Sequence, residues 1–432
     1  MSIWQEAEAL KAECKNRRRN LHQYPEPGWT EFRTASMVVK ELQDLGYDVA
    51  YGAEVIDEDS MMGLPSAEQL EECMERAVRE GADPDIVMNM AGGKTGVIAT
   101  LITGKPGKTV AFRFDMDGND VQEVLNETHR PFRKGFASKH ALAMHACGHD
   151  GHVTIGLAAA KLIMAHKDEL SGTVKLVFQP AEEGVRGAYA MVNTGLVDDV
   201  DYMFCGHLGF KNTAENSLVT MTRDFLATTK IDVTFRGVSA HAGAAPEQGK
   251  NALLAAAQAA ISLSTIARHS QGSNRINVGI LNAGTGRNIV PDIATMKLET
   301  RGITTEIDEY MVKEAKRMLQ ACADMYDVQV EIAMAGSAPA TLDDPELAHE
   351  IAELVKAKCG YDEVSECISM GGSEDAGYFM ERVQKRGGRA SYLMYGTPIA
   401  AGHHSSCYDF DENALWRAAA TITEMAIYFS NK

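Results

Sequence analysis

No run of eighteen apolar residues occurs in this 432-residue chain, so a membrane-spanning helix is not expected. Residues 1–8 are acidic and helix-like and lack the apolar stretch of a signal peptide, which predicts a cytoplasmic protein. The eight cysteines (14, 73, 147, 205, 322, 359, 367 and 407) show no framework spacing, so a reduced setting is expected rather than a disulfide scaffold. Positive charge is scarce as well: 42 Lys and Arg face 60 Asp and Glu, for a net charge of −18. Arg17-Arg18-Arg19 is the one basic cluster and reads as a solvated helix face, which argues against nucleic acid as a partner. An anionic small molecule would need a local cationic pocket, because the overall field does not steer it in. No internal repeat or low-complexity segment is visible.

What is present is a globular composition, 45% hydrophobic and 24% charged, at a length that implies two domains. Residues 2–23 read as one helix, 31–45 as a second ending at Gly46, and Ser66-Ala67-Glu68-Gln69 opens a third in capping-box form. Segments 96–103, 108–114, 173–179, 201–206 and 390–396 look like strands buried on both faces, with the apolar helix 152–166 among them. That pattern predicts an α/β domain whose mixed, mostly parallel sheet is flanked by helices. Between about 228 and 336 the order is β-α-β-β-α-β, that of a ferredoxin-like α+β unit. The expected domains are therefore a discontinuous one, 1–225 with 337–432, and an insert, 226–336.

The chemistry concentrates at the ends of the predicted strands, where open α/β sheets place their ligands. Cys147 and His149, in Met144-His145-Ala146-Cys147-Gly148-His149-Asp150, share a side if the segment is extended. Glu182 and Glu183 follow strand 173–179. In an extended stretch they would face opposite ways, one toward a metal and its neighbour toward a substrate. His207 ends another strand, and His403 and His404 follow a Gly-rich turn after 390–396. A mixed set of S, N and O donors favours zinc or manganese over calcium or magnesium. Asp115 and Asp117 end strand 108–114 on the same side and suit the orienting of ligand histidines.

Met144–Asp150, Gln179-Pro180-Ala181-Glu182-Glu183-Gly184 and Gly372-Ser373-Glu374-Asp375-Ala376 resemble the signature segments of the M20 metallopeptidase family. The match is to its amidohydrolase branch, which includes N-acyl-amino-acid hydrolases, hippurate hydrolase and plant auxin-conjugate hydrolases. Trp29–Thr34, Ser239–Glu247, Gly286–Pro291 and Glu299–Gly302 extend the resemblance over nearly the whole chain. One departure is Gly118-Asn119, where relatives usually have Ala-Leu. The stretch from about Gly52 to Gly93 is longer than usual and is similar to that of members acting on aminobenzoyl-glutamate.

The resemblance implies a zinc-peptidase-like catalytic domain holding two divalent ions, Mn²⁺ or Zn²⁺, on Cys147, His149, Glu183, His207 and His404. The resemblance favours His404 over His403, because the family's final histidine stands eight positions before an acidic residue opening the last helix, and Glu412 stands so to His404. It implies Glu182 as general base and His241 as a donor to the oxyanion from across a dimer interface, with Asn288 in the same pocket. Arg287 and Arg301 are candidates for holding a substrate carboxylate. The expected activity is hydrolysis of N-acyl or N-aroyl amino acids, p-aminobenzoyl-glutamate first among them, by a homodimer or a heterodimer with a related subunit. The rivals are a dipeptidase or carboxypeptidase of the same family, and a mainly non-catalytic partner subunit.

Overall fold

Short β-rich runs alternate with helical segments along the chain, and the computed structural model describes residues 1–432. Its strands in chain order are β1 (Asp48–Tyr51), β2 (Val97–Ile102), β3 (Thr109–Asp115), β4 (Thr173–Gln179), β5 (Tyr202–Leu208), β6 (Ser217–Val219), β7 (Thr222–Arg223), β8 (Ala227–Arg236), β9 (Asn274–Ala283), β10 (Ile293–Gly302), β11 (Gln329–Ala338), β12 (Glu363–Ser365), β13 (Ile368–Ser369) and β14 (Arg389–Tyr395). The chain divides into two compact units. One comprises Met1–Arg223, Thr341–Met370 and Asp375–Lys432, the other Asp224–Ala340 and Gly371–Glu374. No helix is long and apolar enough to cross a membrane, and none of the cysteines forms a disulfide.

The first unit is an α/β fold on an eight-stranded sheet of order β1-β2-β4-β3-β5-β14-β6-β12. Its centre, β4-β3-β5-β14, is parallel throughout, so these strands all end on one edge. β1 and β2 join antiparallel on one side and β6 joins β14 antiparallel on the other. After its first residue every position of β3 and β4 is buried, which requires cover on both faces. Helices His149–Ala165 and Asn413–Ser430 pack on β3 and on each other. The first of these is buried nearly all round, as a helix inside a domain must be. It can approach the sheet closely because residue 156 is glycine: a Cβ there would lie 2.8 Å from Phe114 and Phe178.

The second unit runs β8, helix Ala252–Leu263, β9, β10, helix Thr305–Met325, β11. Its four strands pair in the order β11-β8-β10-β9, antiparallel throughout, which is the ferredoxin-like split arrangement. β10 alternates between buried and exposed positions, so one face of the sheet carries the core. Ile231, Val233, Phe235, Met296 and Leu298 meet Ala255, Ala259, Met311 and Leu319 there.

Two local expectations change. The single helix over 2–23 is two, Ile3–Ala9 and Lys11–Gln23, because the Leu10 N–H bonds back to Ala7 and closes the first. The stretch after Gly52 carries a second helix, Pro84–Asn89, capped by Asp83, in addition to Ala67–Arg79 with its Ser66–Gln69 capping box. Leu70, Ala77, Val87 and Met90 anchor it in the main core.

Candidate metal centre

Because β3, β4 and β5 run parallel, the residues that follow or end them share one edge of the sheet. That edge gathers Asp115 at the end of β3 and Asp117 just after it, Glu182 and Glu183 after β4, and His207 near the end of β5. Cys147 and His149 arrive differently from the extended reading. Gly148 takes a left-handed φ of 95° and His149 is the first residue of the helix His149–Ala165. Glycine is needed there: any Cβ would be strained and would meet the Tyr408 hydroxyl at 2.9 Å. Glu182 and Glu183 are likewise in a tight turn, between left-handed Ala181 and Gly184 and Val185, and not in an extended stretch. The two carboxylates therefore do not oppose each other, and both come near His149.

The resulting cluster consists of overlapping triads whose candidate ligand atoms lie within 4.8 Å of one another: Cys147, His149 and His207; Cys147, Glu183 and His404; His149, Glu182 and Glu183. Cys147 Sγ is 3.4 Å from His207 Nε2, His404 Nε2 is 3.2 Å from Glu183 Oε1, and His149 Nε2 is 3.9 Å from Glu182 Oε2. His403 turns away, its Nε2 reaching the Leu208 carbonyl at 3.3 Å and the Tyr408 hydroxyl at 3.3 Å. Two of the histidines are held the same way. His149 Nδ1 donates to the Asp117 carbonyl at 2.9 Å and His207 Nδ1 to the Leu208 carbonyl at 2.8 Å, which directs each Nε2 lone pair into the cluster.

The electrostatics fit a cation. His149 Nε2 is buried with no hydrogen-bond partner. Burial alone would depress this imidazole, yet the Asp115, Asp117 and Glu183 carboxylates hold it up at about 10. The cluster thus calls for positive charge at that spot. Burial, then Glu183 and Glu182, drive the Cys147 thiol well above its usual range, and a bound cation would reverse that. Against the effect of burial, His404 and His149 lower Glu183 to about 2, helped by Asn119. Burial keeps His207 neutral.

The profile of peptidase family M20/M25/M40 matches residues 111–428, well over half of the chain. The chain belongs to this family. It is accordingly a hydrolase of amide bonds. It is 47% identical over 421 residues to indole-3-acetyl-aspartic acid hydrolase of Enterobacter agglomerans, covering 97% of this chain and 96% of that protein. It is 46% identical over 429 residues to one of the subunits of p-aminobenzoyl-glutamate hydrolase from Escherichia coli K12, covering 99% and 98%. The crystal structure of an aminobenzoyl-glutamate utilization protein from Klebsiella pneumoniae superposes with a TM-score of 0.86 at 40% identity, covering 99% and 98%.

Around the cluster of this M20 chain stands a layer of buried polar residues. Both Asp117 carboxylate oxygens accept backbone N–H groups of the glutamate turn, from Glu182 at 3.1 Å and Glu183 at 2.8 Å. Asp115 bonds His152 and Arg113 and stands 3.8 Å from His149 Nε2, so its direct hold is on His152. Sequence reasoning passed over His152, whose ring packs edge-on against His207 at 4.5 Å. Its position three residues after His149, one helical turn on, was the available signal. Glu31 and Asp375 were also missed as site residues. Glu31 accepts from Ala181 N–H at 2.7 Å and from the Thr95 hydroxyl at 2.7 Å, and burial with the nearby Asp117 charge pushes it up to about 8. Asp375 accepts from Gly187 and Ala188, fixing the far end of the same loop. Asn119 accepts from Ala146 N–H at 3.0 Å, which ties the Gly118-Asn119 departure to the Cys147 segment.

His241, Arg287, Asn288 and Arg301 lie in the second unit. His241 is exposed, and its Nδ1 accepts from Gly243 and Ala244 N–H, which places the ring proton on Nε2. The Asn288 carbonyl accepts from Ala242 N–H at 3.0 Å, and both Asn288 and Arg287 are exposed. Arg301 is engaged by Glu299 at 3.1 Å.

Proposed function

We propose that this chain hydrolyses the amide bond of N-aroyl or N-arylacyl amino acids, with p-aminobenzoyl-glutamate as its best single substrate. The observation that carries this is the convergence of Cys147, His149, Glu183, His207 and His404, with Glu182 beside them, in a chain similar over nearly its full length to hydrolases of such conjugates. Cys147 and His149 each belong to more than one triad, an overlap that would suit two neighbouring cations, and the donor set suits manganese or zinc. Such cations would polarise the amide carbonyl and acidify the attacking water. Glu182 takes the proton from that water as its oxygen bonds to the carbonyl carbon. It then hands the proton to the amine nitrogen as the C–N bond breaks, leaving a carboxylic acid and a free amino acid. Asp117 holds both glutamates in register through the turn's backbone.

His241, with its proton on Nε2, is the proposed donor to the developing oxyanion, supplied by a second copy or a related subunit, with Asn288 beside it. The second unit supports assembly. β9 is an edge strand, and Ile280 and Leu281 on it and Leu254 and Ile261 on helix Ala252–Leu263 are exposed apolar residues. Leu281→Lys with Ile261→Lys is expected to shift the protein from dimer to monomer in analytical ultracentrifugation and to remove most activity; an unchanged dimer would reject this surface.

The function is tested by assaying the protein, loaded with manganese or zinc, against aroyl-glutamates, arylacyl-aspartates, hippurate and dipeptides. Preferential turnover of the aromatic conjugates of acidic amino acids is expected. No turnover of any with metal bound would reject the reading, and faster turnover of dipeptides would favour a peptidase.

A further inference from the structure

The stretch after Gly52 returns to the glutamate turn, and the group that joins them is Arg186. Its Nε donates to the Glu183 carbonyl at 2.8 Å and its Nη1 to the Gly63 carbonyl at 3.0 Å. The Gly63 segment is itself held by Trp29, whose indole N–H donates to the Met62 carbonyl at 2.8 Å. Nη2 lies over Gly28, where a Cβ would come within 2.4 Å of it, so glycine clears the space that the guanidinium occupies.

Two neutral carbonyls thus fix this cation, and no carboxylate comes within ion-pair distance of it. Arg113, the other arginine beside the cluster, is spent on Asp115 and Asp375. In a chain of net charge −18, a positioned arginine without an acidic partner, three residues from Glu183, is a seat for an anion that arrives with the substrate.

We infer that Arg186 binds the side-chain carboxylate of an acidic amino acid in the scissile conjugate, and that the Gly52–Gly93 stretch serves to hold it in place. This rests on the reading of the chain as an N-acyl-amino-acid hydrolase and adds which amino acids it prefers. The backbone bonds leave Nη2 as the group that meets the carboxylate. Arg186 acts on specificity through binding, with no part in proton transfer.

The test compares Arg186→Gln, Arg186→Lys and Gly28→Ala with wild type on p-aminobenzoyl-glutamate and its neutral isostere p-aminobenzoyl-glutamine. In Arg186→Gln, KM for the glutamate conjugate is expected to rise at least about tenfold with kcat little changed, while KM for the glutamine conjugate stays within about twofold. Arg186→Lys should recover part of the preference, since it keeps the charge without the planar grip. Gly28→Ala should also raise KM for the glutamate conjugate by displacing the guanidinium, and because its Cβ would come within 3.0 Å of Ala181, next to Glu182, it should lower kcat on both conjugates as well. Calorimetric binding of both conjugates to metal-loaded Glu182→Gln protein, with and without Arg186→Gln, reads the same discrimination without turnover. An inactive wild type would therefore count against the hydrolase reading and still leave this inference decided. Equal losses on both conjugates would make Arg186 a strut for the loop only, and no loss on either would remove it from the site; both outcomes overturn the inference.

Discussion

Glu182→Gln is expected to lower kcat by about 10³-fold while leaving metal content intact. The amide keeps the shape of the carboxylate but cannot take a proton from water and return it to the amine. The geometry around Glu182 suits that proposed role. Its side chain is 12% exposed, enough to meet solvent and substrate, and its carboxylate lies 3.9 Å from His149 Nε2 at the rim of the cluster. The turn that carries it is fixed from both ends, by Asp117 on its own N–H and by Asp375 on Gly187 and Ala188. Atomic absorption on the variant separates the possible roles. Metal loss would make Glu182 a ligand, and unchanged activity would place the chemistry elsewhere, as in a chain that only supports a catalytic partner.

The second large effect is on stability. Arg18→Ala is expected to lower the unfolding free energy by about 3–5 kcal/mol, read from denaturant midpoints, because it strands buried carboxylates. Arg18 is fully buried and reaches Asp150 at 2.8 Å, Asp409 at 3.0 Å and Glu412 at 3.5 Å, with its guanidinium 4.3 Å from the Phe410 ring centre. Asp150 immediately follows His149, so this network also clamps the helix start that presents this candidate ligand. Burial alone would raise the Asp150 and Asp409 carboxyls, but Arg18 overrides it and both sit below the usual carboxylate range. A carboxyl lowered in the folded state stabilises the fold above its unfolded value and loses that contribution as pH falls toward its folded value. Wild-type stability should therefore drop below about pH 4, and the drop should be shallower in Arg18→Ala.

Arg18 also shows where sequence reading stops. In Arg17-Arg18-Arg19 it looks like a surface cation, and only tertiary pairing with residues more than a hundred positions away reveals a core residue. The strands were legible because β3 and β4 are buried on both faces and read as unbroken apolar runs. The second unit was legible because its elements are long and regular. What failed was local backbone geometry at the site. Gly148 and Ala181 adopt left-handed angles that break the extended segments the pattern suggested, and that is how Cys147, His149 and the two glutamates reach one place. The candidate ligands were visible as residue types after strands. Their supports were not: the roles of Glu31, His152 and Asp375 depend on contacts that no local spacing encodes.

The most direct test of a two-metal centre is the metal stoichiometry after dialysis, measured by inductively coupled plasma mass spectrometry on wild type, Cys147→Ala and His207→Ala. Two divalent ions per chain are expected in wild type, with the loss of at least one in each variant and the helical circular dichroism unchanged. A wild type that binds no divalent ion, or variants that keep the full complement, would contradict it.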